Sequence, residues 1–171
     1  MANGSCNLAS VNLFAFVEKP FTEEAYFDMN RFHQVVRKMV WGLDDLLTML
    51  GERHALPEQV QHTKDWREIG LGVMGLADLA LGMRLAYGSD EFIQLLDNIM
   101  FAMVNQAFMA SADKAIKDGV FPKYDYEKIS KSAFFNEALS QGTRDYIKLH
   151  GLRNSRVLSI APTGSISNLL G

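Results

Sequence analysis

Two long stretches of helical periodicity bound what this chain can fold into. From Asp28 to Leu50 the apolar residues Phe32, Val35, Val36, Met39, Val40, Leu43, Leu46, Leu47 and Leu50 recur at three- and four-residue spacing, which lays one buried stripe along a helix. Asp28 supplies an N-cap side chain and Gly51 a C′ stop. The second stretch runs from Ser89, a good N-cap, to Asp118, with Gly119 as its stop. Its stripe is Phe92, Leu95, Leu96, Ile99, Met100, Met103, Ala107, Phe108, Ala110 and Ile116. Ala102, Ala107, Ala110, Ala112 and Ala115 keep the second helix thin enough for close packing on a neighbour.

Around this pair the pattern changes period. Cys6 to Val17 is apolar and partly alternating, which predicts a strand broken by Pro20. Pro57 is placed to open a short helix inside the polar stretch Glu52–Glu68. Shorter helices are expected at Tyr126–Lys131, Ser132–Ser140 and Thr143–Leu149, and a short buried strand at Arg156–Ala161. The expectation is a helix-rich α/β fold in one unit, residues 1–171, with a strand near each end.

Composition excludes several classes of function. A chain of 171 residues with 48% apolar and 22% charged residues can bury a core of its own. A formal charge of −3 carries no basic footprint for nucleic acid, and no apolar run reaches membrane-spanning length. Met1–Gly4 lacks the charged and apolar regions of a signal peptide. A cytoplasmic protein without nucleic-acid or membrane partners is expected. The single cysteine rules out an internal disulfide and a thiolate-rich metal site. His33, His54, His62 and His150 show no ligand spacing, so no metal site is expected.

Gly70, Gly72 and Gly75 match G-x-G-x-x-G, the pattern of a dinucleotide-binding turn. That turn must follow a buried strand, yet Gln59–Glu68 is mostly polar. The second strand with its acidic end is also missing, because Gly88–Glu91 reads as a helix start. Small residues that let this segment pass close to another element are the better explanation.

Two features carry chemistry. Cys6 opens the first strand behind Gly4-Ser5; a lone cysteine is commonly a buried small hydrophobe, but at a strand start it can also face a cleft. At the other end, Pro162 fixes the exit from a strand, and Thr163-Gly164-Ser165 offers two hydroxyls and a permissive backbone before a helix begins at Ile166–Leu170. A helix start suits a phosphate, and it is equally the setting of an ordinary Thr or Ser N-cap. From the residues alone both readings stand.

Four blocks in order go further: Ser5–Leu13 (SCNLASVNL), Ile69–Asp78 (IGLGVMGLAD), Gly151–Ser155 (GLRNS) and Ala161–Ser167 (APTGSIS). Together they closely resemble the large catalytic chain of ribonucleotide reductases, over essentially the whole sequence. The resemblance implies a sector of a ten-stranded α/β barrel with long helices between strands. It implies an oxidoreductase in which a cysteine thiyl radical takes a hydrogen from the ribose of a nucleoside di- or triphosphate. By its context Cys6 looks like one member of the redox-active cysteine pair. Pro162, Thr163, Gly164, Ser165, Ile166 and Ser167 look like the loop that cradles the substrate phosphates, and Gly70–Asp78 like a structural block.

The departures shape the expectation equally. The family's radical cysteine lies in an Asn-x-Cys-x-Glu stretch that this chain lacks, and Cys6 has no second cysteine to pair with. The resemblance therefore implies an internal slice of the catalytic barrel, inactive without the remainder of the reductase chain and a thioredoxin-like reductant. The P-T-G-S-I-S loop with S-C-N-L leans toward the adenosylcobalamin-dependent class; no cofactor is expected on this stretch itself. A non-catalytic helical interaction module is the alternative, with a dinucleotide-binding enzyme third. Exposed strand edges and helix faces would favour self-association.

Overall fold

A computed structural model describes residues 4–170; Met1–Asn3 and Gly171, the two ends of the expected 1–171 unit, lie outside the described residues. Strand β1 (Asn7–Asn12) leads through a 3-10 turn (Leu13–Phe16) into the two-residue β2 (Val17–Glu18), which pairs antiparallel with β3 (Tyr26–Phe27). Helix α1 (Met29–Leu50), a 3-10 turn (Gly51–Arg53) and α2 (Pro57–Trp66) precede β4 (Ile69–Met74) and α3 (Leu76–Gly82). The long α4 (Asp90–Asp118) is followed by α5 (Tyr126–Ile129), α6 (Ala133–Ala138), α7 (Gln141–His150) and α8 (Gly164–Leu170).

Both long helices form where periodicity places them. Asp28 accepts a hydrogen bond from Arg31 N at 2.9 Å, and Ser89 accepts one from Phe92 N at 3.3 Å, each satisfying a first-turn donor. Phe32, Val36, Val40, Leu43 and Leu47 of α1 face Ile99, Met103, Ala107 and Ala110 of α4 in one core. Leu46, Leu50 and Ile116, assigned to the stripes, lie at their margins and stay exposed. Gly51 does not end α1 in a left-handed turn. Its φ is −59°, and a Cβ there would come 3.0 Å from Thr63 Cγ2, so the glycine serves a close approach to α2. Pro57 opens α2 as expected.

The strands depart from expectation in three places. The opening strand ends at Asn12, whose side chain accepts from Phe14 N at 3.1 Å and bends the chain into the 3-10 turn. Leu13 and Phe16, three residues apart, are both buried, whereas a continued strand would send them to opposite faces. Next, Ile69–Met74 is itself a strand, parallel to β1 with Asn7 opposite Ile69 and Asn12 opposite Met74. Its first five residues are all buried, as a central parallel strand requires. Gly70 and Gly72 thus lie inside a strand instead of in the turn after one, and only Gly75, at φ +75°, makes a turn, into α3.

The expected strand Arg156–Ala161 is reduced to a single parallel bridge, Leu71 with Leu158. Ile69 N donates to Arg156 O at 3.0 Å, Leu71 N to Val157 O at 2.9 Å, and Ser159 N to Leu71 O at 3.1 Å. There the ladder stops, because the chain swings across the bare face of β4. A Cβ on Gly72 would stand 2.4 Å from Ser159 O, and one on Gly70 would stand 2.9 Å from Ser159 Cβ and 2.6 Å from Leu8 Cδ2. The G-x-G spacing, two residues on one face of a strand, opens that face to the crossing chain. Val157 is buried, whereas Ser159 and Ile160 are exposed.

A buried polar node ties these elements together. Asp44 of α1 is fully buried. Arg67 Nε donates to Asp44 Oδ1 at 2.9 Å, and its Nη2 donates to the Asp44 carbonyl at 3.0 Å and to Thr48 Oγ1 at 2.8 Å. Asn154 Nδ2 donates to Asp44 Oδ1 at 2.8 Å and to the Arg67 carbonyl at 3.1 Å, while Ser111 of α4 donates from Oγ to Asn154 Oδ1 at 2.9 Å. Arg153 Nη1 caps the end of α4, donating to the carbonyls of Asp118 and Gly119 at 2.8 and 3.0 Å. The GLRNS block is therefore a joint between α1, α4 and the entry to β4.

These packings give three stability expectations, each measurable by urea or guanidinium denaturation. Gly72→Ala destabilises by about 1–3 kcal/mol, because its methyl group must displace backbone. Gly42→Ala, mid-helix in α1 with open space around it, stabilises by about 0.5–1 kcal/mol. Asp44→Asn leaves Arg67 buried without its counter-charge and costs about 3–5 kcal/mol.

Candidate functional site

Cys6 stands immediately before β1 and is exposed, which sets aside the buried-hydrophobe reading. The bare face of Gly70 receives it: a Cβ on Gly70 would lie 3.2 Å from Cys6 Sγ. The backbone before it is anchored by Ser5, whose Oγ lies 3.1 Å from His54 Nε2 and 3.0 Å from Thr63 Oγ1. His54 Nε2 and Thr63 Oγ1 are themselves 3.2 Å apart, closing the triangle. Asn7 reaches the other way, donating from Nδ2 to the Leu43 carbonyl at 3.4 Å. Desolvation by its neighbours pushes the Cys6 thiol above its ordinary value; the Glu68 charge adds to this and Arg156 opposes it.

Glu68, directly before β4, is buried, and its Oε2 accepts from His62 Nε2 at 3.1 Å. Arg156 Nε lies 3.2 Å from Glu68 Oε1, an ion-pair distance without hydrogen-bond alignment, so Oε1 has no hydrogen-bond donor. Sequence reading gave Glu68, His62 and Arg156 no role in a site. The available signal was a charged residue abutting an unbroken buried strand, which forces the charge inside or to the strand mouth.

The terminal loop returns to the same strand. Ala161–Ile166 and Leu8–Ser10 form the walls of one cleft of about 330 Å³. Cys6, Leu8 and Ser10 share a face of β1 by strand alternation, so the loop's cleft lies roughly 7–13 Å along the strand from the cysteine. Thr163 has φ +53°, unusual for a β-branched residue, and departs from the extended backbone of an ordinary N-cap. Helix α8 starts at Gly164, two residues earlier than expected. Ser167 N donates to Thr163 O at 2.9 Å, and Ser167 Oγ to Gly164 O at 2.9 Å. Ser165 is exposed on the first turn.

A second cleft of about 700 Å³ adjoins the loop at the carboxyl ends of β1 and β4, lined by Asn12, Gly75, Asp78, Met100, Thr163 and Ser167 among others. Parallel strands commonly present ligands at these ends. Thr163 borders both clefts, and Cys6 borders neither.

Elsewhere Asp44, Asp45 and Asp118 converge closely enough to suggest a cation site. Side-chain cations already occupy that position. Lys114 Nζ contacts Asp45 Oδ1 at 2.5 Å and Asp118 Oδ2 at 2.8 Å, Arg67 holds Asp44, and Arg153 Nε lies 3.4 Å from Asp44 Oδ2. Burial would lower the Lys114 pKa, but its bonds to Asp118 and Asp45 outweigh burial and raise it. This is an ion-pair cluster.

The family model for the ribonucleotide reductase barrel domain matches residues 1–171. The ribonucleoside-diphosphate reductase large chain of Encephalitozoon cuniculi is 34% identical over 97% of this chain and 22% of its own length. The Helicobacter pylori subunit alpha is 36% identical over 97% and 22%, and the vitamin B12-dependent enzyme of Mycobacterium tuberculosis is 32% identical over 98% and 21%. The chain thus spans about a fifth of the length of these relatives. Among solved structures, the class Id ribonucleotide reductase alpha subunit of Actinobacillus ureae superposes with a TM-score of 0.67 at 24% identity, over 97% of this chain and 26% of that one. Among the described residues no helix is long and apolar enough to cross a membrane.

The raised Cys6 pKa has a direct consequence: at pH 7 the folded chain carries less thiolate than an unfolded one. Alkylation by iodoacetamide, followed by mass spectrometry, is expected to be several-fold slower for folded than for urea-unfolded chain at that pH.

Proposed function

The chain belongs to the ribonucleotide reductase family, through its barrel domain, and on that footing we propose that it forms one wall of the family's substrate site. In this reading Cys6 is a reducing thiol and Pro162–Ser167 is the diphosphate cradle. One observation carries the proposal: the terminal loop folds back onto the strand that Cys6 opens, so that Leu8–Ser10 and Ala161–Ile166 share a cleft. The loop's first-turn N–H groups and the Thr163 and Ser165 hydroxyls are donors suited to phosphate oxygens. The adjoining cleft, within the range of about 300–1,000 Å³ usual for ligands, then takes the nucleoside, with Thr163 at the junction. Segments 7–12, 69–74 and 156–159 run side by side with α1 against β1 and β4. That arrangement supports the assignment of this piece to a ten-stranded barrel.

The proposed reaction removes the ribose 2′-hydroxyl as water, while two thiols lose two hydrogens and close a disulfide. Cys6 provides one thiol; the chain has no other cysteine, so the second thiol and the radical-bearing cysteine belong to other segments of the working enzyme. The likeness to B12-dependent relatives brings forward adenosylcobalamin, which would supply the radical when bound. The described residues do not match it: neither cleft is lined by a histidine, and His54 and His62 are engaged by Ser5, Thr63 and Glu68. The work assigned to this chain is to bind phosphate, orient the nucleoside and hold a hydrogen on Cys6 Sγ.

A nucleoside diphosphate is expected to shift the amide NMR signals of Thr163, Gly164 and Ser165 at millimolar concentration, and NAD to leave Gly70–Gly75 unmoved. Thr163→Ala weakens that binding about threefold to tenfold, the worth of one hydrogen bond. Unshifted loop signals would overturn the assignment. Purified chain alone is expected to give no ribonucleotide turnover in a product assay.

A further inference from the structure

The carboxylate of Glu68 has no role in the substrate wall described above, yet it is buried and placed with care. Its side chain is only 5% exposed, and a buried carboxylate is costly unless answered by donors. His62 answers Oε2 and Arg156 approaches Oε1, but among the described residues Oε1 has no hydrogen-bond donor. Continuing the β1–β4 register one step beyond Asn7 and Ile69 sets Cys6 beside Glu68, on strands about 4.8 Å apart. Cys6 Sγ lies over Gly70, two residues along from Glu68 on the same face. An acceptor without a donor and a thiol thus occupy neighbouring register positions, and the thiol's own contact, to the Asn7 carbonyl at 3.5 Å, is long.

The geometry points to Glu68 as a positioning residue for Cys6: its buried carboxylate holds the side chain in the hydrogen-bearing thiol form, with Arg156 as the opposing control. A negative charge beside a thiol disfavours the thiolate, and a positive charge favours it. The direction of the Cys6 shift, raised by Glu68 and lowered by Arg156, agrees. Among the described residues the other charged groups around Cys6 are already committed. From α2, His62 bonds Glu68 and Lys64 pairs with Glu52; from the preceding loop, His54 bonds Ser5. Arg67 and Asp44 turn into the buried node behind the sheet. That leaves Glu68 and Arg156 as the pair whose charges bear on the thiol. The functional meaning rests on reading Cys6 as a reducing thiol, since a hydrogen donor must keep its hydrogen until the substrate takes it. The electrostatic coupling stands without that reading.

Because Cys6 is the only cysteine, its ionisation can be followed in the intact 171-residue chain by iodoacetamide rate against pH, with no nucleotide and no reductase partner. Glu68→Gln is expected to move the alkylation midpoint to lower pH and to speed alkylation at pH 8 about threefold to tenfold. Arg156→Gln is expected to move the midpoint the opposite way. Loss of packing alone would expose Cys6 and shift both variants in the same direction, so the opposed signs separate electrostatic positioning from a structural role. A midpoint unchanged or raised in Glu68→Gln, or lowered in Arg156→Gln, overturns the proposal. If circular dichroism shows that Glu68→Gln does not fold, the direction of the Arg156→Gln shift decides the matter. Failure of nucleotide binding leaves this result untouched, so the two readings fail separately.

Discussion

A carboxylate with no exposed surface, Asp44, sets the terms for the rest of the molecule. Once α1 carries it into the core, donors must come from other elements, and they arrive from three directions: Arg67 at the entry to β4, Asn154 before the last ladder segment, and, through Asn154, Ser111 on α4. Apolar packing between α1 and α4 would tolerate sliding by a turn. A hydrogen-bonded ion pair does not, because each displaced donor leaves a buried charge unanswered. The node therefore fixes where β4 begins and where residues 156–159 join it. Those positions in turn fix the distance between Cys6 and the loop.

The two long helices and their caps were legible because helical periodicity over twenty or more residues overrides local noise. Pro57, Asp28 and Ser89 acted as their side-chain chemistry dictates. The strands were less legible. Ile69–Met74 alternates glycine with large apolar residues, and a propensity reading discounts glycine in strands. Only the crossing of Ser159 explains why the strand needs a bare face. Residues 156–161 look like a strand by composition, but half of them leave the ladder for that crossing. Gly51 illustrates the same limit: α1 does stop before it, but without a left-handed turn, and its bare backbone serves contact with Thr63.

For the candidate site, the motif residues at both ends were legible as blocks, but their mutual placement was not. Nothing in the spacing of Cys6 and Pro162 states that both lie along β1, since the connection runs through β4 and the crossing over Gly72. The charged neighbours of Cys6 were hidden for a different reason. Glu68 and Arg156 lie far apart in sequence and become neighbours only because β1, β4 and residues 156–159 stand in parallel, each beginning at the same edge. A parallel sheet aligns the starts of distant segments, and the residues just before those starts form a row that no local pattern reveals.

The central place of β4 also bears on the order in which the molecule can assemble. Its partners lie about 60 residues upstream and about 90 downstream, separations that make both pairings slow relative to helix formation. On a ribosome, β1 must wait for β4 to emerge, and the loop cannot dock until residues 156–159 have followed. During that interval the thiol lies at an unfinished sheet edge. The helices between these segments are ready first, and the cleft they frame forms only afterwards.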